Sequence, residues 1–149
     1  DVEHFADRNI DAYIEVINTA FRDHPVPLRV TREQIEHVHA KPSFDPGAIA
    51  ILRNGDGGMI GFCTTGIDPE SDPPHGFINL LGLLPDYRRR GLGRWLLQWG
   101  IERLRAKGVK TVELGVEAAN ARAVELYRSV GFELAEEWPQ WMRTDQLPK

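Results

Sequence analysis

From residue 9 to 21 the apolar positions Ile10, Tyr13, Ile14, Ile17 and Phe21 fall three and four apart, which predicts an amphipathic helix. Thr31 followed three residues on by Gln34 has the pattern of a capping box, so a second helix is predicted from there to about Ala40. The pattern then changes period. Residues 48 to 52 and 59 to 67 are mostly apolar, and Asn54-Gly55-Asp56-Gly57-Gly58 between them is a hairpin turn signal. A further strand is predicted from about Gly76 to Leu83, and a third helix over 95 to 107 with Leu97, Ile101 and Leu104 on one stripe, closed by Gly108. Lys110 to Val116 alternates as a strand, a helix follows Asn120, and residues 134 to 144 form a tryptophan-bearing end. Residues 1 to 5 read as a short strand. Helices and strands alternate without repeats, so the fold class is α/β with a mixed sheet, the segment 78 to 116 forming a parallel strand, crossover helix and strand.

A chain of 149 residues, 42% hydrophobic and 27% charged, is the size of one domain with one core. Its net charge is −4, and the basic residues concentrate around 88 to 110, which argues against a nucleic-acid footprint. One cysteine, Cys63, in an apolar run, reads as a packed thiol and fits a reducing compartment. No apolar stretch is long enough to span a membrane and no signal-peptide pattern opens the chain, so a cytoplasmic location is expected. A start at Asp1 instead of Met suggests a segment excised from a longer tandem chain.

The chemistry concentrates in the run from Leu83 through Arg94, Leu-Leu-Pro-Asp-Tyr-Arg-Arg-Arg-Gly-Leu-Gly-Arg. A strand end, a basic glycine-bearing loop and a helix start make an anion site, because the first N–H groups of a helix have no intrahelical partners and carry the positive end of its dipole. Gly91 and Gly93 uncover those N–H groups, and Arg88, Arg89, Arg90 and Arg94 surround them with charge. A mononucleotide P-loop would require Lys-Ser or Lys-Thr after the second glycine, and a dinucleotide fingerprint a third glycine where Leu96 stands.

The remaining pattern, Arg-x-x-Gly-x-Gly after Leu-x-Pro, resembles the coenzyme A loop of the GNAT N-acyltransferase superfamily. Downstream, Asn120 at a helix start, Tyr127 seven residues on and Gly131-Phe132 at its end resemble the second signature of that family. The resemblance implies the GNAT acyltransferase fold, a mixed central sheet flanked by helices whose parallel strands splay apart at the coenzyme site. It implies acetyl-CoA as co-substrate and a small-molecule or peptide amine as acceptor. By the same resemblance, Leu81, Gly82 and Leu83 pair with the pantetheine arm, Arg88, Arg89, Arg90, Gly91, Leu92, Gly93 and Arg94 hold the pyrophosphate, Asn120 contacts the coenzyme, and Tyr127 protonates the departing thiolate. Read from its spacing alone, Tyr127 is an ordinary core aromatic. A homodimer is compatible with such a domain, while neither nucleic acid nor a membrane enters as a partner.

The general base departs from the family pattern. Relatives place a glutamate five residues before the motif Asn, here Gly115, or eight residues before the loop proline, here Phe77. The remaining candidates are Asn79 acting through a water, Glu117, Glu113 and His75. Of these, His75 falls in a polar loop after two prolines, and Glu113 and Glu117 share a strand face whose bland reading is the solvent side of an edge. The pieces Ala20 to Pro25 and Phe44 to Pro46 resemble the catalytic half of the mycothiol synthases, a tandem group of the family, whose glutamate base falls on Phe77 here. Asp68, Glu70 and Asp72 stand where they would attract a cationic amine, or form a solvated turn. Two other readings remain open: a coenzyme-binding module without catalysis, and the interaction half of a tandem protein.

Overall fold

The computed structural model describes residues 2–4, 9–23, 28–68, 70–116, 121–137 and 140–144. The elements are β1 (Val2–His4), α1 (Ile10–Ala20), α2 (Arg32–His39), β2 (Ile49–Arg53), β3 (Met59–Asp68), β4 (His75–Leu83), α3 (Leu92–Ala106), β5 (Thr111–Val116), α4 (Ala121–Ser129), β6 (Glu133–Glu137) and β7 (Gln140–Thr144). One seven-stranded sheet runs β1-β2-β3-β4-β5-β7-β6, antiparallel throughout except for the parallel pair β4–β5. Such a pair needs a crossover, and α3 supplies it.

The predicted periods place the core on both sheet faces. On one face α1 buries Tyr13, Val16, Ile17 and Ala20 against Ile49, Ile51 and Phe62. On the other, Leu96, Leu97, Ile101 and Leu104 of α3 pack on Cys63, Ile78, Val112 and Leu114, with Phe132 completing the cluster. β3, sandwiched between them, is buried over its first five residues. Removing a buried leucine such as Leu97 from this packing costs about 2–5 kcal/mol.

The capping box forms as predicted: Thr31 Oγ1 accepts from Gln34 N at 3.2 Å, and Gln34 Oε1 accepts from Thr31 N at 2.9 Å. The helix it opens, α2, buries none of its residues, so it stands as a wall over the sheet instead of packing into it. The Asn54 turn also forms, with Asn54 Oδ1 accepting from the N–H groups of Asp56 and Gly58. The third helix differs from the prediction. It begins at Leu92, not near Trp95, because Gly91 enters the left-handed region at φ 80 and starts the helix there.

One irregularity shapes the middle of the sheet. Thr64 pairs with Leu80 and Thr65 with Ile78, which leaves Asn79 as an extra residue in β4. The bulge bends the strand and breaks its alternation. Ile78 packs with the α3 cluster, Leu80 packs with the α1 cluster, and Asn79 between them is exposed.

Candidate functional site

Immediately after the bulge the sheet opens. β4 and β5 pair only from His75↔Thr111 to Ile78↔Leu114, after which β4 continues to Leu83 without β5 beside it and β5 continues to Val116 against β7. Leu84 N donates to Ile60 O at 2.9 Å, so that position bonds toward β3, and the two-residue alternation of an antiparallel ladder gives Gly82 the same direction. Leu81 and Leu83 therefore turn their backbone groups toward the open edge. Of the three residues expected to pair with the pantetheine arm, these two turn toward the open edge, where the Leu83 carbonyl already accepts from Arg88 Nε at 3.3 Å. Gly82 serves a packing purpose, since a Cβ there would lie 2.9 Å from the Phe62 ring.

The open edge leads into the arginine loop. A short 3₁₀ turn, Pro85–Tyr87, ends at Arg88. Arg88 is not aimed at the helix N-terminus: its Nη1 donates to Asp23 Oδ2 at 2.8 Å, its Nη2 to Asp23 Oδ1 at 3.2 Å and to Ala20 O at 2.7 Å, and its Nε to Leu83 O at 3.3 Å. The hydrogen bond from Arg88 holds the Asp23 carboxyl below the usual carboxylate range. Arg89 and Arg90 are exposed, Arg90 lying 5.3 Å above the Tyr87 ring, whose hydroxyl accepts from Asn54 Nδ2 at 3.0 Å. Arg94 reaches Ser129 Oγ at 3.5 Å.

The backbone of this loop is strained in a useful way. Arg89 has φ 64 and Gly91 φ 80, and positive-φ residues among ordinary ones turn successive N–H groups to one side, as in anion-binding nests. No side chain caps the first turn of α3. Around Gly91 nothing lies within 4 Å of a notional Cβ, and at Gly93 a Cβ would meet only Leu126 and Leu83 at 3.6 Å. The space in front of those N–H groups is open.

α4 forms one flank of the opening. Ala123, Val124, Tyr127 and Val130 pack against the α3 cluster, the face the spacing predicts, and Gly131 takes φ 102 with Phe132 N returning to Tyr127 O at 3.1 Å. Burial pushes the Tyr127 phenol up to about 12, so it stays protonated at neutral pH. Asn120 and Glu117 lie outside the described residues, as do His24 and Pro25.

The base candidates separate. His75 is the first residue of β4, not part of a solvated loop, and its Nε2 sits 3.1 Å from Glu113 Oε2, with both side chains about one-fifth exposed. Glu113 is on no edge either, because β5 runs between β4 and β7. Sequence reasoning missed this pair, since the parallel register brings the two together across the crossover. Asn79 stands apart from it, its Nδ2 2.9 Å from where a Cβ on Gly66 would be.

Asn79 also borders a groove of about 1110 Å³ between the sheet and the wall made by α2 and its flanking loops. Tyr13, Ile35, Phe44, Ile49 and Leu80 give it an apolar floor, and His39 stacks on Phe44 with ring centroids 4.0 Å apart. Asp68, Glu70 and Asp72 do not line it; Asp68 Oδ1 instead accepts from Glu70 N within its own turn. Of the two readings of these three, a draw on a cationic amine or a solvated turn, the structure forms the turn.

Comparison with known proteins agrees with this geometry. The model of the acetyltransferase (GNAT) family matches residues 10–132. The mycothiol acetyltransferase of Propionibacterium freudenreichii subsp. shermanii is 36% identical over 131 residues, which is 88% of this chain and 42% of that protein. That of Corynebacterium aurimucosum is 35% identical over 151 residues, covering 97% of this chain and 50% of the relative. The chain thus spans half or less of the length of these curated relatives. Solved structures share the fold: the ribosomal-protein-S18-alanine N-acetyltransferase from Escherichia coli has a TM-score of 0.76 at 23% identity, covering 100% of this chain and 96% of that one. The PaiA N-acetyltransferase from Thermoplasma acidophilum in complex with coenzyme A has a TM-score of 0.75 at 17% identity, covering 98% of each chain. Among the described residues, no helix is long and apolar enough to cross a membrane.

Proposed function

The chain belongs to the acetyltransferase (GNAT) family, and on that premise we propose that it transfers an acetyl group from acetyl-CoA to a primary amine by direct attack. The observation that carries the reading is the continuity of the open β4 edge at Leu81 and Leu83 with the uncapped start of α3. An extended amide-bearing arm fits the first and a pyrophosphate the second. A binding module without catalysis would use both but have no need of the groove beside Asn79, which gives an acceptor a place next to this edge.

In this reading Arg89, Arg90 and Arg94 with the N–H groups of Leu92 and Gly93 hold the pyrophosphate. Arg88 has a different role, tying the loop to α1, because its donors are engaged by Asp23, Ala20 and Leu83. The amine nitrogen attacks the thioester carbonyl, the carbonyl oxygen gains charge, and an N–H on the open edge, that of Leu81, stabilises it. The C–S bond then breaks. Tyr127, holding its proton up to about 12, hydrogen-bonds the thiolate rather than surrendering the proton outright. The surplus proton of the nitrogen leaves through a water at Asn79, with Glu117 the alternative acceptor. No acyl-enzyme is required, since the thioester is already activated and positioning suffices. Cys63, fully buried with its thiol pushed up to about 12, takes no part, and a chain with one cysteine and so no internal disulfide fits the reducing cytoplasm.

The test is release of free thiol from acetyl-CoA across a panel of primary amines, with coenzyme binding measured by calorimetry. Binding with amine-dependent release is expected; binding without release by any amine would return the domain to a coenzyme-binding module.

A further inference from the structure

The groove beside Asn79 carries a charge opposite to that of the chain. The protein has net charge −4, yet four cationic side chains, Arg29, Lys41, Arg103 and Lys107, line the groove against two carboxylates, Glu33 and Asp45. One of those carboxylates is already satisfied: Asp45 accepts from Gly47 N at 2.9 Å and from Arg103 Nη2 at 2.6 Å. Among the described residues no ion pair within 4 Å is formed by Arg29, Lys41 or Lys107, although the charge of Lys107 also helps hold the Asp45 carboxyl below the usual range.

Arg29, Lys41 and Lys107 are exposed, and the backbone that carries each is fixed. Leu28 and Val30 pack on the α1 cluster, and Asn18 accepts from Val30 N at 2.7 Å and donates to Val30 O at 3.0 Å, so Arg29 between them is turned outward into the groove. Lys41 sits in the turn after α2, closed by the bond from Phe44 N to its carbonyl at 3.0 Å, with Phe44 stacked on His39. Lys107 ends α3, its N–H returning to Arg103 O and Leu104 O.

From this distribution we infer that the acceptor is an amine joined through an apolar body to an anionic group, with the amine at Asn79 and the anion over Lys41 and Lys107. The inference rests on the acetyl-transfer reading and names its substrate class. The apolar floor takes the body of the acceptor, and the paired Asp45 leaves the remaining positive charge to be balanced by a ligand. Carboxylate and phosphate groups would satisfy it alike.

The experiment compares three acceptors that share one amine and one apolar body and end in a carboxylate, a phosphonate or a neutral carboxamide. The readout is thiol release from acetyl-CoA. At low salt the better of the two anionic acceptors should exceed the carboxamide in kcat/KM by about fivefold or more, and the order of the two identifies the anion. That ratio should fall toward one in Lys41→Gln/Lys107→Gln, and should shrink with added salt, since exposed charges are screened beyond about 8–10 Å at 0.1–0.15 M. A carboxamide used as well as both anions overturns the inference while leaving acetyl transfer intact. Failure of every acceptor to release thiol would instead overturn the acetyl-transfer reading on which it rests.

Discussion

Arg88 and Asp23, sixty-five residues apart, meet in a two-point ion pair with N–O distances of 2.8 and 3.2 Å, and the same guanidinium reaches the carbonyl of Ala20 at 2.7 Å. The end of α1 is thereby fastened to the loop that precedes α3. A residue whose charge suits a phosphate ligand serves first as a strut within the fold.

Asp23→Asn separates the two roles. The Asp23 carboxyl is held below its ordinary range by Arg88, so the charged form is favoured in the folded state. Its stabilising contribution is present above the unfolded carboxylate value of about 3.9 and is lost as pH falls through the lower folded value. At neutral pH the variant should be destabilised by about 0.5–1 kcal/mol, discounted because Asp23 is exposed, which for this chain length lowers Tm by about 1–4 °C. The difference from the parent should vanish in acid. Coenzyme affinity by calorimetry should stay within about threefold; a tenfold loss would make Arg88 and its partner part of the phosphate site.

Gly93→Ala tests the phosphate loop without disturbing the fold. An added Cβ meets Leu126 and Leu83 at 3.6 Å, ordinary contact, and replacing glycine by alanine inside a helix favours folding by up to about 1 kcal/mol. Stability should therefore hold or rise. The methyl group nevertheless stands in front of the first-turn N–H groups, and coenzyme affinity should fall at least tenfold. Gly91 makes a poorer probe, since φ 80 strains any other residue there by about 1–2 kcal/mol. A folded Gly93→Ala protein with parental affinity would remove the loop from the binding site.

What could be read from the sequence was local. The capping box at Thr31 and Gln34, the Asn54 turn and the Gly131 stop depend on residues within a few positions of each other, and the structure forms each as predicted. The loop at 88 to 94 was legible for the same reason. Its first arginine was not, because Asp23 is distant in sequence and no pattern links them. The His75–Glu113 pair escaped because it depends on the register of two parallel strands joined by a helix. Alternation from Phe77 does place Asn79 toward the groove, but the bulge that lets Leu80 follow it to that side leaves no trace in the residue pattern. The groove is the least legible of all, since its lining is gathered from α1, α2, β3, β4 and the end of α3.

Tyr127→Phe measures a hydrogen bond to the thiolate. Because burial pushes the phenol up to about 12, above an ordinary thiol near 8.5, full proton transfer to the sulfur is uphill, and the hydroxyl acts mainly as a donor to developing charge. A hydrogen bond to a charged group contributes about 1.5–3 kcal/mol, so kcat should fall by about 10- to 100-fold with little change in coenzyme affinity. Turnover within about twofold of the parent would leave Tyr127 as a core aromatic against Phe132.

The last prediction concerns where the amine loses its proton. Phe77 and Gly115 replace the expected glutamates, and His75 lies four residues before Asn79, about 13 Å along the strand, with Nε2 occupied by Glu113. If a water at Asn79 takes the proton in place of a carboxylate, as proposed, the acceptor must arrive largely deprotonated. The log of kcat/KM should then rise with pH up to a midpoint that belongs to the amine. An α-amino acceptor, near 7.7–8.0, and an alkylamine acceptor, near 10.4, should show midpoints separated by about two pH units. A protein base would impose one midpoint on both. A common midpoint near 6.5 that disappears in His75→Ala would assign the role to the imidazole in spite of its distance, and a common midpoint removed by Glu117→Gln would assign it to that carboxylate. The structure favours the substrate-following result, because the His75 imidazole is already held by Glu113 at 3.1 Å and stands well short of the opening between β4 and β5.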